Sequence, residues 1–212
     1  MEERMVKFYS KDSNNLALHA IPGHFATSHS HINFYIDVTS IKARLKEARE
    51  AAKVLCAKIG NPTYVDTIVC MDGTEVVGAL LAEEFEACHV HSTNQHKTIY
   101  VVSPEENNGQ IIFRDNTKLA LEGKHVVLLL ATTTTGETIR RSMECIQYYG
   151  GITEAVGAVF STVDSVGSMK VRSLFTVKDV PGYQAFSQSE CPFCKKGMRL
   201  EAMVNGFGYS KI

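Results

Sequence analysis

No stretch of this sequence stays apolar over the ~18 residues that a membrane-spanning helix needs. Its charged opening, Met1-Glu2-Glu3-Arg4-Met5, leads into no apolar segment of signal-peptide length. A cytoplasmic location without a membrane partner is therefore expected. An excess of charge of one sign is also missing: 22 Lys and Arg face 23 Asp and Glu, a formal charge of −1. No basic stripe is left to neutralise a nucleic-acid backbone, so nucleic acid is not an expected partner. Cysteine is sparse. Of six cysteines (Cys56, Cys70, Cys88, Cys145, Cys191, Cys194), four lie in apolar or helical patterns, where a free thiol behaves as a small hydrophobe, which argues against a disulfide scaffold. No internal repeat or low-complexity linker divides the chain. Its 212 residues, 44% of them hydrophobic, suit a single domain with a sizeable core.

What is present changes character along the chain. Residues 1–38 are rich in His, Ser and Asn with short apolar patches, and predict irregular structure and short strands forming a hood over the main body. Ile41, Leu45, Ala48, Ala52, Leu55 and Ile59 recur at spacings of three and four, predicting one amphipathic helix stopped by Gly60-Asn61-Pro62. Val65 to Cys70, the turn Met71-Asp72-Gly73-Thr74 and the stripe from Val76 to Phe85 read as strand, loop and helix. The strand at Thr98–Val102 gives way to Ser103–Gly109, an exposed and mobile loop or hairpin tip. His125 to Leu130 is a continuous apolar run of the kind found in strands covered on both faces, and a helix bearing Ile139, Met143, Ile146 and Tyr149 follows it. Further strands are predicted at 155–160 and 171–176. Strands alternating with helices imply an α/β fold with a parallel sheet. The expected organisation is a hood at 1–38, a core at 39–180 and a tail at 181–212 folded onto the body.

Between the central strand and its helix lies Ala131-Thr132-Thr133-Thr134-Thr135-Gly136-Glu137-Thr138. Hydroxyls, backbone N–H groups and the positive end of a helix dipole converge in such a loop, which can bind phosphate without Lys. The same residues also read as an ordinary helix cap, with a Thr hydroxyl on the early amides and a Glu three positions on. The stretch Val126–Thr138 resembles the phosphoribosyl-diphosphate motif of the type I phosphoribosyltransferases. Gly23 through Asp37, and Tyr183 through Gly197, resemble the hood and tail of orotate phosphoribosyltransferases. The resemblance spans nearly the whole chain. It implies a parallel-sheet core with helices on both faces, a homodimer, and transfer of ribose 5-phosphate from phosphoribosyl diphosphate to a pyrimidine base with Mg²⁺. It also implies phosphate binding by Thr132, Thr133, Thr134, Thr135, Gly136 and Thr138, and diphosphate binding by Asp72, Gly73, Thr74 and Glu75, a stretch that reads equally as a plain tight turn.

The sequence departs from that family at charged positions. Leu130 and Ala131 stand where two acids hold the ribose, and the loop after Val102 carries Glu105 and Glu106 in place of basic residues. Ser165 stands where an Arg would meet the base, and Glu137 adds a negative charge beside the supposed phosphate. No catalytic residue is assigned, and a catalytically lapsed nucleotide-binding sensor of the same fold is the alternative, as is a transferase acting on a different, cationic or neutral, substrate with Glu105, Glu106 and Glu137 in place of the lost groups. Cys191-Pro-Phe-Cys194 has the spacing of half a zinc site. No second CxxC exists, and Cys88-His89-Val90-His91 would have to supply the other half. A bound metal is not expected on that count, and a pair of reduced thiols accounts for the motif equally well. His24, His29 and His31, and His89, His91 and His96, form two groups that read as solvated side chains or ligands.

Overall fold

The computed structural model describes residues 2–60, 62–107 and 110–212. The hood is extended chain: β1 (Val6–Tyr9) pairs antiparallel with β2 (Ala17–Ala26), which pairs antiparallel with β3 (His31–Asp37). Thr27 holds the turn between β2 and β3, its hydroxyl oxygen accepting the Ser30 N–H at 2.9 Å. Next come α1 (Thr39–Ala43), α2 (Leu45–Ile59), β4 (Thr67–Cys70), α3 (Glu75–Ala87) and β5 (Tyr100–Val102). The hairpin of β6 (Glu105–Asn107) and β7 (Gln110–Ile112), then α4 (Asp115–Lys118), lead to β8 (His125–Thr133) and α5 (Glu137–Tyr148). The chain finishes with β9 (Ile152–Ser161), β10 (Ser165–Val166), β11 (Met169–Thr176), β12 (Ala185–Phe186), α6 (Pro192–Lys195), β13 (Ala202–Asn205) and β14 (Gly208–Lys211).

The apolar run that marked β8 lies at the middle of a sheet ordered β10-β11-β9-β8-β4-β5, in which β8 runs parallel to both β4 and β9. Val126 through Ala131 are fully buried because both faces are covered. Val127, Leu129 and Ala131 face the core that includes α2 and α3, while Val126, Leu128 and Leu130 face Ile139 and Ile146 of α5. Strand alternation divides the run between two cores, and each fully buried aliphatic side chain contributes roughly 1.5–3 kcal/mol.

A second sheet, ordered β12-β3-β2-β13-β14 with β1 on β2, joins the two ends of the chain. Residues 181–212 supply three of its strands, and β13 runs parallel to β2 with Ala202 beside Phe25. The single helix predicted from Ile41 is broken at Arg44, which is extended (φ −100°, ψ 122°). Its two parts serve different neighbours. The Lys42 ammonium on α1 donates to the Asp72 and Gly206 carbonyls at 2.5 and 2.7 Å, while α2 packs on the sheet. The predicted loop at 103–109 holds β6, which pairs antiparallel with β7 just beyond it; Asn108 and Gly109, and Asn61 of the predicted helix stop, lie outside the described residues. Among the described residues no helix is long and apolar enough to cross a membrane.

Candidate functional site

A cleft of about 410 Å³ opens at the carboxyl end of β8, between the two sheets. Thr132, Thr133, Thr134, Thr135 and Thr138 form one wall. The backbone here is built to present N–H groups. Gly136 takes a left-handed φ of 77°, and a Cβ on it would come within 2.7 Å of Val166, so only glycine fits. Thr162 N–H donates to the Thr133 carbonyl at 3.1 Å, and the Thr162 hydroxyl donates to the Thr134 carbonyl, which occupies the acceptors of the loop. No side chain caps α5; the nearest contact is a long one, Glu137 N–H to the Thr135 hydroxyl at 3.4 Å. The capping alternative raised by the sequence is therefore not realised: Gly136 is the N-cap, and Glu137 turns to Arg140 rather than back to the loop. A twelve-residue helix thus points its positive end and open amides at the cleft.

The charges differ from those expected of the sequence. Glu137 is bound at both oxygens by Arg140, at 2.5 and 3.1 Å, and its carboxyl is held below the usual range chiefly by that contact. Arg140 also holds Glu144 at 2.5 Å, so one cation is shared by two carboxylates and the charge of Glu137 is paired but only partly offset. Glu105 is likewise paired with Arg114. Arg141, three residues beyond Thr138 and on the same helix face, lines the cleft and supplies it with a cation. Across from it stand Asp72 and Glu106. Burial, then Glu106, push the Asp72 carboxyl up to about 6, although Lys42 and a hydrogen bond from the Ala131 N–H pull the other way.

Of the proposed diphosphate residues, only Asp72 reaches the cleft wall, its backbone left-handed at φ 57°. Thr74 is buried with its hydroxyl donating to the Met71 and Leu129 carbonyls at 2.9 and 3.3 Å, and Glu75 accepts from the Ser103 hydroxyl at 2.6 Å. Gly73 lies behind, near Lys42 and Phe207. The remaining walls come from Thr27, Ser28 and His29 of the hood turn and from Asn205, Gly206 and Phe207 of the tail; of these only His29 was singled out from sequence.

No family model matches the chain. It is 24% identical over 188 residues to the orotate phosphoribosyltransferase of Chlorobium phaeobacteroides, an alignment covering 86% of this chain and 87% of that one. The crystal structure of Mycobacterium tuberculosis orotate phosphoribosyltransferase in complex with Fe(III) dicitrate matches with a TM-score of 0.52 at 15% identity, over 76% of this chain and 91% of that one. The adenine phosphoribosyltransferase of Thermoanaerobacter pseudethanolicus matches with a TM-score of 0.50 at 16% identity, over 82% and 96%. The chain has the type I phosphoribosyltransferase fold. Orotate and adenine enzymes share that fold, so it does not choose a base. Against the phosphoribosyltransferase motif, Leu130 and Ala131 replace the two acids and are fully buried on opposite faces of β8, out of reach of any ligand. The Asp72 carboxylate accepts from the Ala131 N–H and so meets that strand. The histidines expected as groups separate: His29 reaches the cleft, His96 bonds Thr98, and His24 meets His31 elsewhere.

Proposed function

We propose that the cleft binds a phosphoribosyl ligand, with its 5′-phosphate on the Thr132–Thr138 loop and Arg141. The observation that carries this is the uncapped start of α5 beside a cation, at the carboxyl end of a central parallel strand. The open amides and hydroxyls would bind the phosphate oxygens, and Arg141 would balance their charge. A cleft of about 410 Å³ is of nucleotide size. Asp72 and Glu106 are oxygen donors of the type that Mg²⁺ takes, and they would hold such a cation if it arrived with a diphosphate. When bound, it would offset diphosphate charge. Asp72, with its raised pKa, would accept hydrogen bonds from ribose hydroxyls when ionised. Similarity to the orotate enzymes favours transfer of ribose 5-phosphate from phosphoribosyl diphosphate to a pyrimidine base in a homodimer, the assembly resting on resemblance alone. The burial of Leu130 and Ala131 supports the second reading, a nucleotide-binding sensor with little or no transferase activity.

Calorimetric titration with phosphoribosyl diphosphate and Mg²⁺ tests the binding site. Wild-type protein should bind, and Thr134→Val with Thr135→Val, or Arg141→Gln alone, should each weaken binding by about tenfold or more, the equivalent of ~1.4 kcal/mol. Absence of wild-type binding, or variants that bind as well as wild type, would overturn the proposal. Formation of orotidine monophosphate when orotate is added separates transferase from sensor.

A further inference from the structure

We propose that His24, His31, Cys191 and Cys194 form a zinc site that ties the hood hairpin to the tail. The sequence showed half of it, and the other half lies not at Cys88 and His91 but on the two strands that flank the hood turn. Ala26 pairs with His31 across β2 and β3, which sets His24 and His31 near the same end of the hairpin. Cys191 is the residue that caps the start of α6, which begins with Pro192, and Cys194 lies within its single turn. Spacing of three in a helical turn turns both sulfurs to one side.

The ligand atoms converge. His24 Nε2 lies 3.3 Å from His31 Nδ1, 3.3 Å from Cys191 Sγ and 3.6 Å from Cys194 Sγ, and Cys194 Sγ lies 3.3 Å from His31 Nδ1. All four atoms are within 4.8 Å of one another. Zinc bonds of ~2.1 Å to nitrogen and ~2.3 Å to sulfur give tetrahedral edges of roughly 3.4–3.8 Å; four of the six edges lie at 3.3–3.6 Å and the other two within 4.8 Å, a set that closes to a tetrahedron around one ion with small side-chain shifts. His24 Nδ1 lies 3.1 Å from the Met198 carbonyl, to which it can only donate, and this leaves the Nε2 lone pair facing the centre. Without an ion, four lone-pair donors crowd a site where His24, His31 and Cys191 are buried. Two thiolates and one dication leave no net charge there, and mixed nitrogen and sulfur ligands in tetrahedral array select zinc. Four protein ligands leave no open position, so the ion is structural. None of the four lines the cleft, but the turn between the two histidines carries Thr27, Ser28 and His29 into it.

Untagged protein purified under reducing conditions from zinc-containing medium should carry one zinc per chain by mass spectrometry. Chelation should lower Tm, and added Zn²⁺ should restore it. Cobalt(II) added to the chelated protein should give the visible bands of tetrahedral thiolate ligation. Cys194→Ser, at the exposed ligand, should weaken zinc binding by at least about tenfold, while Cys88→Ser with His91→Ala should retain one equivalent. A chelated wild type that stays folded yet fails to bind Zn²⁺ or Co²⁺ at micromolar concentration would overturn the proposal. So would full zinc retention in His24→Ala with Cys194→Ser, or loss of zinc in the Cys88 and His91 variant alone.

Discussion

At Asp72, burial and the neighbouring Glu106 raise the carboxyl to about 6, while Lys42 and the Ala131 amide oppose them. A carboxyl with a folded pKa above its unfolded value binds its proton more tightly in the folded state. Its contribution to stability is therefore fully present below about pH 4 and is lost as pH rises through about 6. A shift of about two units is worth up to roughly 3 kcal/mol at ~1.4 kcal/mol per unit. Asp72→Asn, which stays neutral and can still accept from Ala131, should be more stable than wild type at pH 8 by roughly 1–3 kcal/mol. The gap should close towards pH 4, as urea denaturation at pH 4, 6 and 8 would measure. A gap independent of pH would mean that packing, not ionisation, causes it. Arg141 was legible in its spacing from Thr138, one helical turn beyond the loop, but its charge has meaning only with the cleft in view. Lys42 gave no such signal, because its partners at Asp72 and Gly206 are remote in sequence.

Elements whose covering is local or continuous were legible, and those defined by a distant partner were not. The run from Val126 to Leu130 announced a doubly covered strand, and the strand–helix alternation announced the parallel sheet, both as observed. The break at Arg44 was hidden because the apolar spacing continues across it. The union of hood and tail was hidden because β13 pairs with β2 across most of the chain, and a parallel pairing at that separation leaves no local pattern. The same holds for the turn between β13 and β14. A Cβ on Gly206 would lie 2.4 Å from Asp72 Cγ and 2.5 Å from its Cβ, positions too close to the backbone to swing away. Gly206→Ala should therefore lift the hairpin from the Asp72 loop and strain the Lys42 bond to the Gly206 carbonyl. The expected cost is roughly 1–3 kcal/mol, the usual range for overpacking, with weaker phosphoribosyl diphosphate binding as well. Thermal unfolding and titration would check both, and an unchanged Tm would show that the hairpin does not press on Asp72.

The whole molecule sets two sheets against one cleft, and the walls come from segments far apart in sequence: the hood turn at 27–29, the Thr loop at 132–138 and the tail hairpin at 205–207. Only the middle segment belongs to the sheet built around β8. A small anion could be satisfied by that segment alone, whereas a ligand with phosphate, ribose and a further group would have to touch all three. Ligand binding stabilises the folded state by about 2.7 kcal/mol at a hundredfold excess over Kd, provided that the unfolded chain does not bind. That stabilisation is felt wherever contacts are made. Hydrogen exchange with saturating phosphoribosyl diphosphate and Mg²⁺ should therefore slow in all three segments together. Inorganic phosphate at saturation should slow only 132–138. If phosphoribosyl diphosphate also protected that segment alone, the hood and tail would be bystanders and the site would be a phosphate loop without a ribose compartment. If the three respond as one, the sheet that joins the ends of the chain closes the site, which gives a reason for residues 181–212 to return to the hood.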